Sequence, residues 1–149
     1  MIDRLMRFDA IAWDFDGTLI EHPRSSLFHR FIIETPDKRH AILTFRTHGM
    51  QNSMFREMRR MYPQSPGPEC FFARRNIADR AWEEFNKVDQ LRLFNHQKGP
   101  LTPWEVYYRE WKGLTCRELA LPVLVDDRPD QVLLGCEKFG IAFVHPDEL

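Results

Sequence analysis

Short apolar runs along the chain alternate with stretches of helical spacing, and that alternation predicts a parallel sheet whose strands are joined by crossover helices. The run Ala10-Ile11-Ala12-Trp13 breaks into Asp14-Phe15-Asp16-Gly17 and reads as a first, central strand feeding a loop. A helical pattern follows over residues 25–33. The turn residues Thr35-Pro36-Asp37 then precede a second strand, Ala41-Ile42-Leu43-Thr44-Phe45. Met50, Met54, Met58 and Met61 recur at helical spacing with Phe55 and Tyr62, and read as core packing, since Met fills irregular gaps. The proline-rich stretch at 63–68 is a loop too short to separate two domains. A second helix carries Ile77, Ala81, Trp82, Phe85 and Val88 on one face and leads to a third strand, Leu91-Arg92-Leu93-Phe94. Pro103 opens a helix with Trp104, Tyr107, Tyr108 and Trp111, a fourth strand covers 121–125, and Ile141-Ala142-Phe143-Val144 is the fifth. The expected fold is α/β: a doubly wound, Rossmann-like parallel sheet of about five strands with helices on both faces.

Composition narrows this without changing it. A chain of 149 residues, 43% hydrophobic and 29% charged with net charge -1, is expected to form one domain over 1–149, and this balance excludes a disordered chain. The longest apolar run, 119–125, is broken by Pro122 and falls far short of the roughly 20 residues a membrane-spanning helix needs. The first residues interleave charge with apolar side chains, unlike a secretory signal, so the expected compartment is the cytoplasm. Cys70, Cys116 and Cys136 form neither an even framework nor a Cys-x-x-Cys pair, and read as small buried residues in a reducing compartment. The near-neutral total hides a basic segment at 38–80, where nine Lys and Arg face Glu57, Glu69 and Asp79. That face suits phosphates or nucleic acid, but a solvated helix surface is the commoner account of such a charge run.

In an open parallel sheet, ligands bind outside the carboxyl ends of the strands, so the chemistry is sought there. Strand one ends in Asp14 and Asp16 and strand two in Thr44 and Arg46. Strand three is followed by His96 and Lys98, and strand four ends in Asp126, Asp127 and Asp130. Carboxylates crowded on one edge repel, each pair at about 4 Å costing about 4 kcal/mol at an effective dielectric near 20. A cation relieves this, and hard oxygen ligands without a Cys or His pair favour Mg²⁺ completed by water and a phosphate. Lys98, Arg46 and backbone N–H groups are the positive counterparts for that phosphate.

The run Asp14-Phe15-Asp16-Gly17-Thr18, directly after an apolar strand, resembles the first motif of the haloacid dehalogenase superfamily. Thr44 resembles its second motif, Lys98 its third and Val125-Asp126-Asp127-Arg128-Pro129-Asp130 its acidic fourth, with order and spacing agreeing over residues 10–145. The resemblance implies that Asp14 is a nucleophile forming an aspartyl-phosphate, and that Asp16 protonates the leaving oxygen and then deprotonates water. The second aspartate points to phosphoryl transfer rather than carbon–halogen chemistry. Thr44 and Lys98 would hold the phosphoryl oxygens, with Gly17, Thr18 and Arg46 beside the substrate. The implied Mg²⁺ ligands are the Asp14 carboxylate, the Asp16 carbonyl and the fourth motif, with Asp127 direct and Asp126 and Asp130 in support. Lys112 competes with Lys98 for the third-motif role. Lys98 is preferred because it precedes the helix leading into strand four, whereas Lys112 falls near that helix's end, where a cation suits the dipole. His22, His48 and His96 are lesser candidates at the same edge, since solvated or packed histidines are commoner.

Many members insert a cap domain after the first motif or the third strand, and neither place here has room for a sizeable one. Capless members of the family often act on large substrates such as nucleic-acid ends, or borrow a neighbouring subunit as lid, so a homo-oligomer is one expectation. Thr-x-Arg occurs in some polynucleotide and nucleotide phosphatases of the family and DDRPD is similar to deoxyribonucleotidases. The expected activity is therefore Mg²⁺-dependent phosphomonoester hydrolysis, leaning to nucleotide or nucleic-acid-end phosphates. The alternative is a phosphate-binding or regulatory domain with weak turnover.

Overall fold

The computed structural model describes residues 2–46, 48–64, 67–74, 77, 79 and 103–149. Five strands, β1 (Ala10–Trp13), β2 (Arg39–Thr44), β3 (Glu69–Phe72), β4 (Val123–Val125) and β5 (Ala142–Val144), form one sheet in the order β3-β2-β1-β4-β5, every pairing parallel. Among the described residues four α-helices accompany them: α1 (Ser25–Glu34), α2 (Gln51–Met61), α3 (Pro103–Glu118) and α4 (Pro129–Phe139). The α/β, all-parallel architecture read from the hydrophobic pattern is the one observed, and it is consistent with a Rossmann-like fold.

The two-residue period of a strand divides the core in two. Ile11 and Trp13 of β1, Ile42 of β2 and Val123 and Val125 of β4 join Phe28, Phe31 and Ile32 of α1 and Met54 and Met58 of α2 on one face. Ala12, Ala41, Leu43 and Leu124 point the other way, against Tyr108 and Cys116 of α3 and Val132 and Cys136 of α4. Helices therefore cover both faces, and β1 and β4 are apolar throughout because neither side meets water. Cys116 and Cys136 are buried free thiols, as expected of small core residues, and Cys70 is half-buried. Met54, Met58 and Tyr62 are core, whereas Met50 and Phe55 are exposed, because only part of the methionine stripe turns toward the sheet.

The strand beside β2 was not expected from the pattern. Glu69–Phe72 follows directly on the stretch 63–68 read as a proline loop and precedes the helix read from Ile77, a place to which no strand was assigned. Cys70-Phe71-Phe72 is a short, half-buried edge run held by register with Ile42, Leu43 and Thr44, a non-local cause that local periodicity does not carry. The strand read at 91–94 and most of the helix read at 77–88 lie outside the described residues, as do His96 and Lys98. Between β1 and β2 the chain carries α1 as its only helix of regular length. Among the described residues, no helix is long and apolar enough to cross a membrane.

Helices α3 and α4 cross at two glycines. A Cβ on Gly113 would stand 2.3 Å from the carbonyl carbon of Gly135, and one on Gly135 would stand 2.8 Å from Cα of Glu110. Only glycine permits backbones this close, and the approach fixes the depth of α3, including its Lys112, against the sheet.

Candidate active site

The chain builds outward from β1 through β2 to β3, then returns to the other side of β1 for β4 and β5. Strand order reverses between β1 and β4, the place where open α/β sheets bind ligands. Trp13 is in register with Val125, so Asp14 and Asp126 leave adjacent strands side by side, tied by the Asp14 N–H donating to the Val125 carbonyl at 2.8 Å. Asp14, Asp126 and Asp127 each bring a carboxylate oxygen within 4.8 Å of the others and form a group that could hold a cation.

Lys112 reaches this cluster from α3. Its ammonium donates to Oδ1 of Asp14 at 2.6 Å and to Oδ2 of Asp126 at 2.7 Å, with the side chain 1% exposed. The ring of Phe45 lies 4.7 Å away. Burial works against the Lys112 charge, but Asp126 and then Asp14 overcome it, raising its proton affinity above the ordinary lysine value. Burial pushes the Asp14 carboxyl up to about 7, with Lys112 opposing and Asp127 reinforcing. Asp126 is pushed up to about 7 by burial and by Asp14, again against Lys112. Asp127 is raised by burial and by Asp126. One ammonium among three carboxylates leaves the cluster short of positive charge, which either a retained proton or a divalent cation supplies.

The oxygens are unequally engaged. Asp126 uses both, Oδ2 for Lys112 and Oδ1 for the Arg128 N–H at 2.8 Å. Oδ1 of Asp127 is buried without a hydrogen bond among the described residues. Gly17 makes room for that side chain: its φ is +82°, and a Cβ would fall 2.3 Å from Oδ2 of Asp127. Thr18 is fully buried and turns its hydroxyl to Oδ2 of Asp14 at 3.4 Å. Thr44 is buried at the end of β2, where its hydroxyl oxygen accepts the Arg46 N–H at 3.0 Å and keeps its own proton to donate.

Arg46 grips Asp16 with two parallel hydrogen bonds, Nε to Oδ2 at 2.9 Å and Nη2 to Oδ1 at 2.6 Å. Burial opposes its charge, but the Asp16 hydrogen bonds and the charges of Asp16, Glu57 and Glu21 raise the guanidinium above its ordinary value. Asp130 stands apart from the acidic cluster, paired with Arg128 at 2.7 Å.

A cleft of about 650 Å³ opens over Asp14, Asp16, Gly17, Phe45 and Asp127. The structure therefore brings Asp14, Asp16, Gly17, Thr18, Thr44, Arg46, Asp126 and Asp127 to one edge, and among the described residues the ammonium that joins them is that of Lys112. Of the histidines, His22 lines the cleft and bonds Asp147 at 3.0 Å. His145 also lines the cleft, its Nε2 3.2 Å from the Asp127 carbonyl, and was missed by the sequence reading although it ends β5 as Asp14 ends β1. The strand-end rule applied to the fifth strand would have found it. No protein-family model, curated protein or solved structure matches the chain.

Proposed function

We propose that this chain is a Mg²⁺-dependent phosphomonoester hydrolase working through an aspartyl-phosphate on Asp14, with the organisation of a capless haloacid dehalogenase superfamily domain. The observation that carries the reading is the group of buried Asp14, Asp126 and Lys112 with half-buried Asp127 at the sheet's switch point, Oδ1 of Asp127 lacking any hydrogen bond among the described residues.

An all-oxygen donor set with one unpartnered buried carboxylate oxygen fits a hard divalent cation. Asp127 and Asp14 would ligate it, together with the Asp16 carbonyl, while Asp126, its oxygens engaged by Lys112 and Arg128, would hold Lys112 in place. Bound Mg²⁺ would neutralise charge on a phosphoryl group. Lys112, rather than Lys98, takes the third-motif role here, supported by its ammonium between Asp14 and Asp126. It would pair the nucleophile in the resting site and a phosphoryl oxygen during transfer, and the Thr44 hydroxyl would donate to another.

In the first half-reaction an oxygen of Asp14 attacks phosphorus, the ester P–O bond breaks, and Asp16 gives its proton to the departing alkoxide. In the second, Asp16 takes a proton from water, the hydroxide attacks phosphorus, and Asp14 leaves as a carboxylate. The exposed arginines of α2, Arg56, Arg59 and Arg60, support a lean to nucleotides and nucleic-acid ends.

Phosphate release from phosphorylated metabolites and from 3′- and 5′-phosphorylated oligonucleotides, measured with Mg²⁺ and with chelator, tests the reading. Mg²⁺-dependent release that vanishes in Asp14→Asn is expected, and no release from any of these substrates overturns it. The bidentate grip of Arg46 on Asp16 favours a second reading, a phosphate-binding or regulatory domain with weak turnover. Beryllofluoride separates the two, because a working Asp14 nucleophile forms an aspartyl-phosphate mimic and a simple binding domain does not.

A further inference from the structure

Oδ1 of Asp127 makes no hydrogen bond among the described residues, and carboxylate oxygens of Asp14 and Asp126 lie within 4.8 Å of its own. Like charges this close push the side chain out toward water, so its direction has to be set by the backbone that carries it. That backbone is the bend 126–128 between β4 and α4, and the end of β5 grips it twice. The Asp126 N–H donates to the Val144 carbonyl at 3.2 Å. Next along the chain, Nε2 of His145 lies 3.2 Å from the Asp127 carbonyl oxygen.

The His145 ring is arranged to donate there. The Asp147 N–H donates to its Nδ1 at 3.2 Å, so the proton of the neutral imidazole sits on Nε2. The His145 N–H in turn donates to Oε1 of Glu148 at 3.1 Å, which holds the residue at the start of the last turn. The peptide unit that the ring reaches is held at its other end as well, where the Arg128 N–H donates to Oδ1 of Asp126 at 2.8 Å. The Asp127 carbonyl and the Arg128 N–H belong to one rigid plane, so the side chains of Asp126 and His145 clamp it between them and set the backbone turn from which Asp127 projects.

We propose that His145 is a positioning residue, holding the Asp127 main chain so that the carboxylate stays turned into the acidic cluster as a ligand for a hard divalent cation. The proposal rests on the cation site of the phosphatase reading. A ligand already turned inward binds without first having to be ordered, so the gain appears in cation affinity. The same ring caps the last turn through Nδ1, and that second task is separable from the first because it uses the other nitrogen.

Binding of Mn²⁺ alone, a hard octahedral ion like Mg²⁺, tests this in the full chain through loss of the free-ion EPR signal. Two variants separate the clamp from the cap. In His145→Gln the amide nitrogen reaches about as far as Nε2 and restores the donor to Asp127, whereas in His145→Asn the amide oxygen stands near the place of Nδ1 and restores only the acceptor for the Asp147 N–H. Groups that orient metal ligands are worth about 10–100-fold in affinity, so His145→Asn should weaken Mn²⁺ binding at least about tenfold while His145→Gln stays within about threefold of wild type. Asp127→Asn should remove the binding, which assigns the ion to this site. Urea unfolding in chelator should give His145→Gln and His145→Asn the same stability, and a deficit confined to His145→Asn would make the weakening one of folding and overturn the proposal. Wild-type affinity in His145→Asn, or equal weakening in both variants, also overturns it and leaves the phosphatase reading standing. A wild-type chain that binds no Mn²⁺, or binding that survives Asp127→Asn, overturns the cation site of that reading, and the role of His145 with it.

Discussion

The Lys112 ammonium lies 2.6 Å from Oδ1 of Asp14, in a contact from which water is almost wholly excluded and whose partners stand 98 residues apart in the chain. It makes α3 part of the candidate site and gives the acidic strand ends their only described buried lysine.

Lys112→Met is expected to be costly for the fold as well as for turnover. The variant strands Asp14 and Asp126 in the interior without a cation, and breaking a buried pair from one side typically costs about 3–5 kcal/mol. Urea unfolding at pH 8 in chelator measures it. A loss below about 1 kcal/mol would contradict the assigned pairing.

Gly17→Ala separates site from scaffold. At φ +82° an alanine is strained by about 1–2 kcal/mol, and its methyl would meet Oδ2 of Asp127 at 2.3 Å. Displacing that carboxylate should lower kcat of the proposed phosphatase reaction by about 100-fold, since misplacement by about 1 Å has effects of that size. Parallel activity and unfolding measurements should show turnover falling far more than stability, and unchanged turnover would remove Asp127 from the site.

Gly113→Ala has a sign that helix propensity alone gets wrong. In an open helix the change would gain up to about 1 kcal/mol, but here the new Cβ would stand 2.3 Å from the Gly135 carbonyl carbon, a backbone atom with no rotamer to yield. The helices must separate, and a loss of about 3 kcal/mol in chemical unfolding is expected, within the range of severe overpacking. A stabilised variant would mean that α3 and α4 do not cross there.

His40 predicts a pH dependence. The Trp13 indole donates to its Nδ1 at 3.1 Å, so the proton sits on Nε2, which faces the Thr35 hydroxyl at 3.0 Å. Burial lowers its proton affinity below the ordinary value of 6.5, against an opposing hydrogen bond that the ring donates to the Thr35 backbone. The unfolded chain therefore binds more protons just below pH 6.5, and the contribution of neutral His40 to stability is lost as pH falls. Between pH 7.5 and 5.5 the wild type should lose more unfolding free energy than His40→Gln, and an equal loss would show that His40 does not titrate on unfolding.

Much of the sheet was legible because its cause is local. Ala10–Trp13 is observed with the limits the pattern gave it, and the acidic residues after strands one and four share an edge because parallel strands align their carboxyl ends. Gly17 was legible as a motif residue, though not that the room it leaves is filled by Asp127.

What the sequence by itself determined was the α/β alternation, the central strand, and the aspartates, threonine and arginine that end its strands, since strand period and turn chemistry are written within a few residues. Tertiary structure decided that Lys112 enters the cluster, that Arg46 grips Asp16 and, among the described residues, which segment lies beside β2. Lys112 read as the lesser candidate for the third motif, a cation near a helix end that suits the dipole, yet α3 continues to Glu118 and is drawn against α4 at Gly113 and Gly135, which sinks that side chain between Asp14 and Asp126. Depth and rotation of a helix are set by what it packs against, and that information lies in residues far away in the chain.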